Sequence, residues 1–202
     1  MLPSDKPDEL GFRLMWFNPI PPLEKKSYRL KVSGLCEKPE MFTLADLRAL
    51  PQDKMNARMK CVQCWSTRTD WGGFRGVSLF DLVKPMKNAK VVRLDCADKW
   101  FEYYSIDDLT NSRAMFVLDI AGKPLEDKHG APLRIVDPKR YGYKCAKAIT
   151  SIQFVESGEG SMACDLGPYY SPTGIIKPGY DHPLDLPAVS RKKISGGEIT
   201  GY

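Results

Sequence analysis

A mixed α+β domain is the fold class this chain predicts, and three observations carry the prediction. Strand-like stretches recur along the first 155 residues, at Tyr28–Val32, Met55–Val62, Val91–Ala97, Ala114–Ile120, Leu133–Val136 and Ala148–Val155. Interspersed among them are three short segments that each open on a hydroxyl residue with Asp three positions on: Thr43-Leu44-Ala45-Asp46, Ser78-Leu79-Phe80-Asp81 and Ser105-Ile106-Asp107-Asp108. That spacing is an acidic variant of the helix capping box. Finally, 202 residues with 43% hydrophobic and 27% charged side chains suffice for one domain with a sizeable core. Short helices among strands make such a domain α+β.

Taken in order, Tyr28-Arg29-Leu30-Lys31-Val32 alternates apolar and polar residues and ends at Gly34, as a half-buried strand does. The first helix puts Leu44, Leu47 and Leu50 on one face and closes at Pro51; the second closes at Pro85. Ala121-Gly122-Lys123-Pro124 is a turn between two strand-like segments. Ala148–Val155 alternates with period two. From residue 157 the character changes, with eight glycines and five prolines in the last 46 residues. The predicted division is an N-terminal extension over 1–27, a core over 28–156, and a Gly/Pro-rich segment over 157–202 that wraps over the core or over a site.

Composition excludes several classes. The net charge of +5 comes from 30 basic residues mixed with 25 acidic ones, without the run of Lys or Arg of a nucleic-acid tail, so a local anion site is expected instead. The longest strongly apolar stretch, Ala114–Leu118, is broken by Asp119, far short of the ~20 residues of a membrane span. Six cysteines in a chain of this length do not make a disulfide scaffold. Met1 to Leu10 carries neither an apolar signal core nor a twin arginine.

The chemistry concentrates in two places. In Arg58-Met59-Lys60-Cys61-Val62-Gln63-Cys64-Trp65-Ser66, two cations flank Cys61 and favour its thiolate, the nucleophilic and metal-binding form. Three readings stand side by side: a small buried hydrophobe, a C-x-x-C redox pair with Cys64, or a soft ligand to a transition metal. A zinc cluster would have to assemble from Cys36, Cys96, Cys145, Cys164, His129 and His182, all scattered singly. The second place runs from Arg134 to Lys147, where Arg134, Lys139, Arg140, Lys144 and Lys147 face the single acid Asp137 around Tyr141-Gly142-Tyr143. A solvated basic face is one reading; a phosphate cradle, with Gly142 turning backbone amides toward a ligand, is the other. His129 lies just upstream, and His182 sits in Tyr180-Asp181-His182-Pro183.

In order and spacing these segments resemble the molybdopterin domain of the sulfite oxidase family, and its bacterial protein-methionine-sulfoxide reductase branch more than sulfite oxidase proper, over roughly Tyr28 to Pro183. The matching stretches are Cys61-Val62-Gln63-Cys64-Trp65-Ser66 followed by Trp71-Gly72-Gly73-Phe74, then Gly130-Ala131-Pro132-Leu133-Arg134, Tyr141-Gly142-Tyr143-Lys144 and Tyr180–Pro183. The resemblance implies a sulfite-oxidase-type fold without the dimerisation domain, and Mo-molybdopterin as cofactor. Cys61 would be the protein ligand to molybdenum. Cys96, His129, Arg134, Gly142, Tyr143, Lys144 and Lys147 would hold the pterin and its phosphate, while Trp65 and Arg68 would face substrate. Cys64 stands where the family has a small residue, which makes the C-x-x-C incidental.

The implied reaction is two-electron oxygen-atom transfer, reducing a small-molecule or protein-bound S- or N-oxide, or its reverse. Two rivals are a non-catalytic pterin- or phosphate-binding module and a C-x-x-C thiol–disulfide protein. Without a haem-attachment C-x-x-C-H, electrons would pass through a separate cytochrome or membrane haem subunit. The arginine-rich segment that follows the ligand cysteine in sulfite oxidases is replaced by Trp65-Ser66-Thr67-Arg68, and the reductases' N-terminal Asn and Tyr motif is not recognisable in Gly11 to Pro22. Family resemblance implies a periplasmic protein, the absence of a signal a cytoplasmic one; oligomeric state is open.

Overall fold

A computed structural model describes residues 6–19, 22–62, 65–110, 113–166 and 170–176. Its first sheet has the order β2-β1-β10-β5-β6, formed by β1 (Arg29–Gly34), β2 (Glu40–Thr43), β5 (Val91–Cys96), β6 (Phe101–Ser105) and β10 (Ile149–Val155). The pair β1–β10 is parallel, with Val32 opposite Ile152, and the rest are antiparallel. A second, antiparallel sheet joins β3 (Gln52–Lys60), β4 (Ser66–Phe74), β7 (Met115–Ile120) and β8 (Lys123–Pro124), with β9 (Arg134–Val136) also on β7. The α+β class and the six expected strands are present, with ends shifted by a few residues. The expected set lacked β2, β4 and β6, where polar residues alternate with few β-branched ones.

The helices follow their caps. In α1 (Leu44–Ala49) the Thr43 hydroxyl accepts from the Asp46 N–H at 3.1 Å and Asp46 Oδ2 accepts from the Thr43 N–H at 2.8 Å, the reciprocal box the sequence predicts. Ser105 makes half of that box at α3 (Ile106–Thr110): its hydroxyl accepts from the Asp108 N–H at 3.0 Å and donates to Asp108 Oδ2 at 2.7 Å. The middle helix departs from expectation: α2 (Gly76–Val83) starts ahead of Ser78, with Arg75 at its cap. Arg75 is tied to Asp53 at 2.7 Å and donates to the Arg113 carbonyl at 2.7 Å, which fixes the chain at that point. A further short helix, α4 (Met162–Leu166), lies in the Gly/Pro-rich segment.

Two hydrophobic clusters flank the second sheet. Phe116 and Leu118 of β7 belong to the larger one, with Leu30, Val32, Leu79, Ile152 and Phe154; Met115 and Val117 belong to the smaller, with Met55, Met59, Trp71 and Phe12. Burial on both faces explains why the 114–118 run is apolar without alternation. In Trp71-Gly72-Gly73-Phe74, a Cβ on Gly73 would lie 2.0 Å from the Phe116 carbonyl oxygen, so only glycine lets β4 approach β7 this closely. The 1–27 boundary does not hold as a packing boundary, because Phe12 is 3% exposed inside the smaller cluster. Of the C-terminal segment, Ser161 bridges to Glu102 and Ile175 to Arg140; Tyr180–Pro183 and Cys64 fall outside the described residues.

Candidate active site

Cys61 follows directly on β3, and its N–H donates to the Trp65 carbonyl at 2.8 Å, closing the end of the β3–β4 hairpin. The residue is buried and lines a cavity of about 140 Å³. Three stretches far apart in sequence meet there. The hairpin end supplies Met59, Cys61, Val62 and Trp65; the second chemical segment supplies His129, Arg134, Gly142, Tyr143 and Lys147; and the N-terminal stretch supplies Phe12, Met15 and Phe17. A bridge between Lys60 and Tyr141 holds the first two together. Thr67 donates to the Leu10 carbonyl at 2.6 Å, and Asp98 accepts from the Phe17 N–H at 3.1 Å, which straps the third across them.

Two cations of the cavity wall, Arg134 and Lys147, form no ion pair among the described residues, whereas Lys128 on the same wall is paired with Glu9 and Glu126. Arg134 is 4% exposed, donates to the His129 carbonyl at 2.8 Å and lies 5.3 Å over the Trp71 ring, but has no carboxylate partner among the described residues. Burial lowers its guanidinium to about 10, against a smaller opposing pull from Cys145. Burial, reinforced by Arg134 and opposed by Asp98 and Cys96, brings the Lys147 ammonium down to about 7. The Lys147 ammonium donates to the Met15 carbonyl and sits 3.9 Å over the Trp16 ring. An anion placed beside these groups would favour their charged forms.

Polar atoms on the same walls also lack partners. His129 Nδ1, Trp65 Nε1 and Arg134 Nε are buried and have no hydrogen bond among the described residues. Each such atom costs roughly 1–3 kcal/mol unless something satisfies it. Three of them around one cavity fit a planar ligand with a polar edge, which is what a pterin offers, and two cations fit its phosphate.

Several predicted site residues are placed elsewhere. Lys144 is completely buried, but its ammonium is spent on Glu102 at 2.6 Å and on the Tyr103, Gly160 and Pro172 carbonyls at 3.1, 2.9 and 3.1 Å. With three donors so engaged it is an internal tie and not a phosphate ligand. Arg140 is likewise taken by Asp137 at 2.8 Å and Asp108 at 2.6 Å, and Lys139 is exposed. Arg68 is exposed on β4, donating to Asn56 at 3.2 Å, and does not reach the cavity as a substrate contact. Cys96 packs in the larger core, where burial and then Asp98 push its thiol well up; it lies outside the cavity wall rather than on it. Gly142 opens a 3-10 turn, Gly142–Lys144, without positive φ, so its amide orientation needs no glycine; a Cβ there would stand 3.4 Å from the Lys60 carbonyl.

What sequence reasoning missed is the strap. Its signal was the density of large apolar side chains in Phe12-Arg13-Leu14-Met15-Trp16-Phe17, a run outside any predicted element. Cys145 and Trp100 also line the cavity, and burial raises the Cys145 thiol to about 11. Among the described residues no disulfide forms, no group of three or more His, Cys, Asp or Glu could hold a metal, and no helix is long and apolar enough to cross a membrane.

Comparison with known proteins places the chain in a family. The oxidoreductase molybdopterin binding domain matches residues 17–162. Protein-methionine-sulfoxide reductase catalytic subunits MsrP are similar in sequence: that of Xanthomonas campestris pv. campestris is 32% identical over 181 residues, 80% of this chain and 55% of the relative, and that of Burkholderia mallei 28% identical over 195 residues, 88% of this chain and 59% of the relative. The chain thus spans little more than half the length of these relatives. In fold it is similar to the sulfane dehydrogenase SoxCD from Paracoccus pantotrophus, with a TM-score of 0.63 at 21% identity over 67% of this chain and 40% of that one. The chain belongs to the oxidoreductase molybdopterin-binding domain family: it is an oxidoreductase domain of the sulfite oxidase type whose cofactor is Mo-molybdopterin.

Proposed function

We propose that this domain reduces an S-oxide carried on an apolar side chain, methionine sulfoxide being the nearest chemical match, with Cys61 as the protein ligand to molybdenum. The observation that carries the proposal is the meeting in one cavity of a buried cysteine, the buried Arg134 and the half-buried Lys147, neither of them in an ion pair among the described residues, and an aromatic wall. When bound, the cofactor would supply two-electron oxygen-atom-transfer chemistry. The residues of this chain do the placing. Arg134 and Lys147 would take the phosphate, the cation with a fixed fork and the cation with a compact charge. His129 and Trp65 would satisfy the pterin edge. Phe12, Met15 and Trp65 keep water away and offer dispersion contacts to a thioether.

Sulfite suits this wall less well, because a small dianion calls for several fixed cations beside the reacting atom and Arg68 points elsewhere. The relatives are named for protein methionine sulfoxide, which supports the direction of reduction and a protein-bound substrate. Electrons would come from a separate cytochrome or membrane haem partner.

The test is molybdenum analysis of protein made in a host that synthesises molybdopterin, followed by reduction of methionine sulfoxide and oxidation of sulfite with artificial redox partners. Near-stoichiometric molybdenum with methionine sulfoxide reduction is expected, and Cys61→Ser should lower turnover at least ~10²-fold through loss of a soft, donating ligand. Full activity of metal-loaded Cys61→Ser would remove the ligand role, and sulfite oxidation alone would reverse the substrate assignment.

A further inference from the structure

We propose that Asp8 sets which nitrogen of His129 carries the proton, leaving Nδ1 as a hydrogen-bond acceptor on the cofactor cavity; the inference rests on the cofactor reading above. Asp8 lies outside the 17–162 family match, on the strap that sequence alone did not connect to the site. Its Oδ2 is 2.7 Å from His129 Nε2, with the histidine 1% exposed. Its Oδ1 is held by the Leu10 and Phe12 N–H groups at 3.0 and 2.8 Å, so the carboxylate cannot turn away. The Phe12 ring, brought in by the same turn, stands edge-to-face on the imidazole at 5.5 Å, and the His129 carbonyl is taken by Arg134. Position and rotation of the ring are therefore fixed from three sides.

The charge state of Asp8 decides what that clamp means. Burial raises the carboxyl, but hydrogen bonds from His129, Phe12 and Leu10 outweigh it and hold it below its ordinary value. An ionised carboxylate only accepts, so Nε2 must carry the proton, and a neutral imidazole protonated there has a bare Nδ1. Nδ1 is buried with no partner among the described residues, while Trp65 Nε1 and Arg134 Nε are two unanswered donors on the same cavity. One acceptor and two donors complement a ligand edge that carries one N–H donor and two acceptors. A merely structural histidine at this depth would have both nitrogens answered. Asp8 is a positioning residue: it touches no ligand and acts through His129.

The experiment is nitrogen-15 imidazole correlation spectroscopy on the full chain, in alkaline buffer where the neutral ring is read. With His129 and His182 the only histidines, a His129→Gln sample identifies the signal. Wild-type His129 is expected to be protonated on Nε2 and bare on Nδ1. Asp8→Asn keeps an oxygen for the backbone amides and turns an NH₂ toward Nε2, so the proton should move to Nδ1. A wild-type ring protonated on Nδ1, or a ring unmoved in Asp8→Asn, overturns the proposal.

The second readout is cofactor retention. Asp8→Asn should retain molybdenum roughly tenfold less well or worse, because a donor now faces a donor, while its thermal midpoint stays close to wild type. An inverted tautomer with unchanged molybdenum overturns the role toward the cofactor. Absence of molybdenum from wild type as well would overturn the functional reading instead, and the tautomer result would still decide whether Asp8 sets the proton.

Discussion

Arg140 and Lys144 on one side, and Arg134 and Lys147 on the other, come from a single stretch of fourteen residues, yet they do opposite work. The first two are buried against Asp108, Asp137 and Glu102 and lock the segment to β6 and the described C-terminal residues. Burial raises Glu102 to about 8 against the pull of Lys144, so even this pair bears a desolvation cost. Arg134 is buried and Lys147 half-buried on a cavity, and neither forms an ion pair with a carboxylate among the described residues. The difference teaches that a buried cation already answered by the protein is architecture, while one left unanswered beside a cavity is addressed to a ligand.

Removing one partner from the architectural pair should do the most damage. Lys144→Ala strands Glu102 and three carbonyls and should cost roughly 3–5 kcal/mol in urea unfolding, whereas Arg134→Met should change stability by less than about 1.5 kcal/mol while losing most of the molybdenum. Equal stability losses in the two variants would collapse the distinction. The paired variant Glu102→Gln with Lys144→Met sharpens it, since removing both charges should recover much of the loss.

A smaller effect separates the cavity pair by pH. Lys147 falls from 10.5 to about 7 on folding, so between those values the unfolded chain binds the extra proton and stability rises with pH. Urea midpoints should therefore climb across that window in wild type and flatten in Lys147→Met; identical slopes would mean that the ammonium is not desolvated. The smallest effect belongs to Arg68→Ala, expected within ~0.5 kcal/mol and without change in substrate affinity, because the side chain is exposed away from the cavity. A raised KM in that variant would return it to the site.

Local patterns were legible because they are local. The capping box of α1, the Ser105 cap of α3, the turn at 121–124 and the run of β7 all depend on neighbours within a few residues. Cys61, His129, Arg134, Tyr143 and Lys147 were expected at a site through the family resemblance of their segments, and they line one cavity. The positions of Lys144 and Arg68 were not legible because the sequence shows a charge but not its partner: Glu102 lies 42 positions from Lys144. The core position of Cys96 was not legible because a thiol in the core and a thiol on a wall share the same flanking alternation.

By itself the sequence determined the α+β class, which follows from residue type at short spacing, and through its resemblance to a known family it pointed to that family and its cofactor. Only the tertiary structure decided which cations remain unanswered, and that the N-terminal residues close the site and bring Asp8 to His129. These are long-range pairings, chosen by how the two sheets and the strap bury their apolar faces together, and no short window of sequence records that choice.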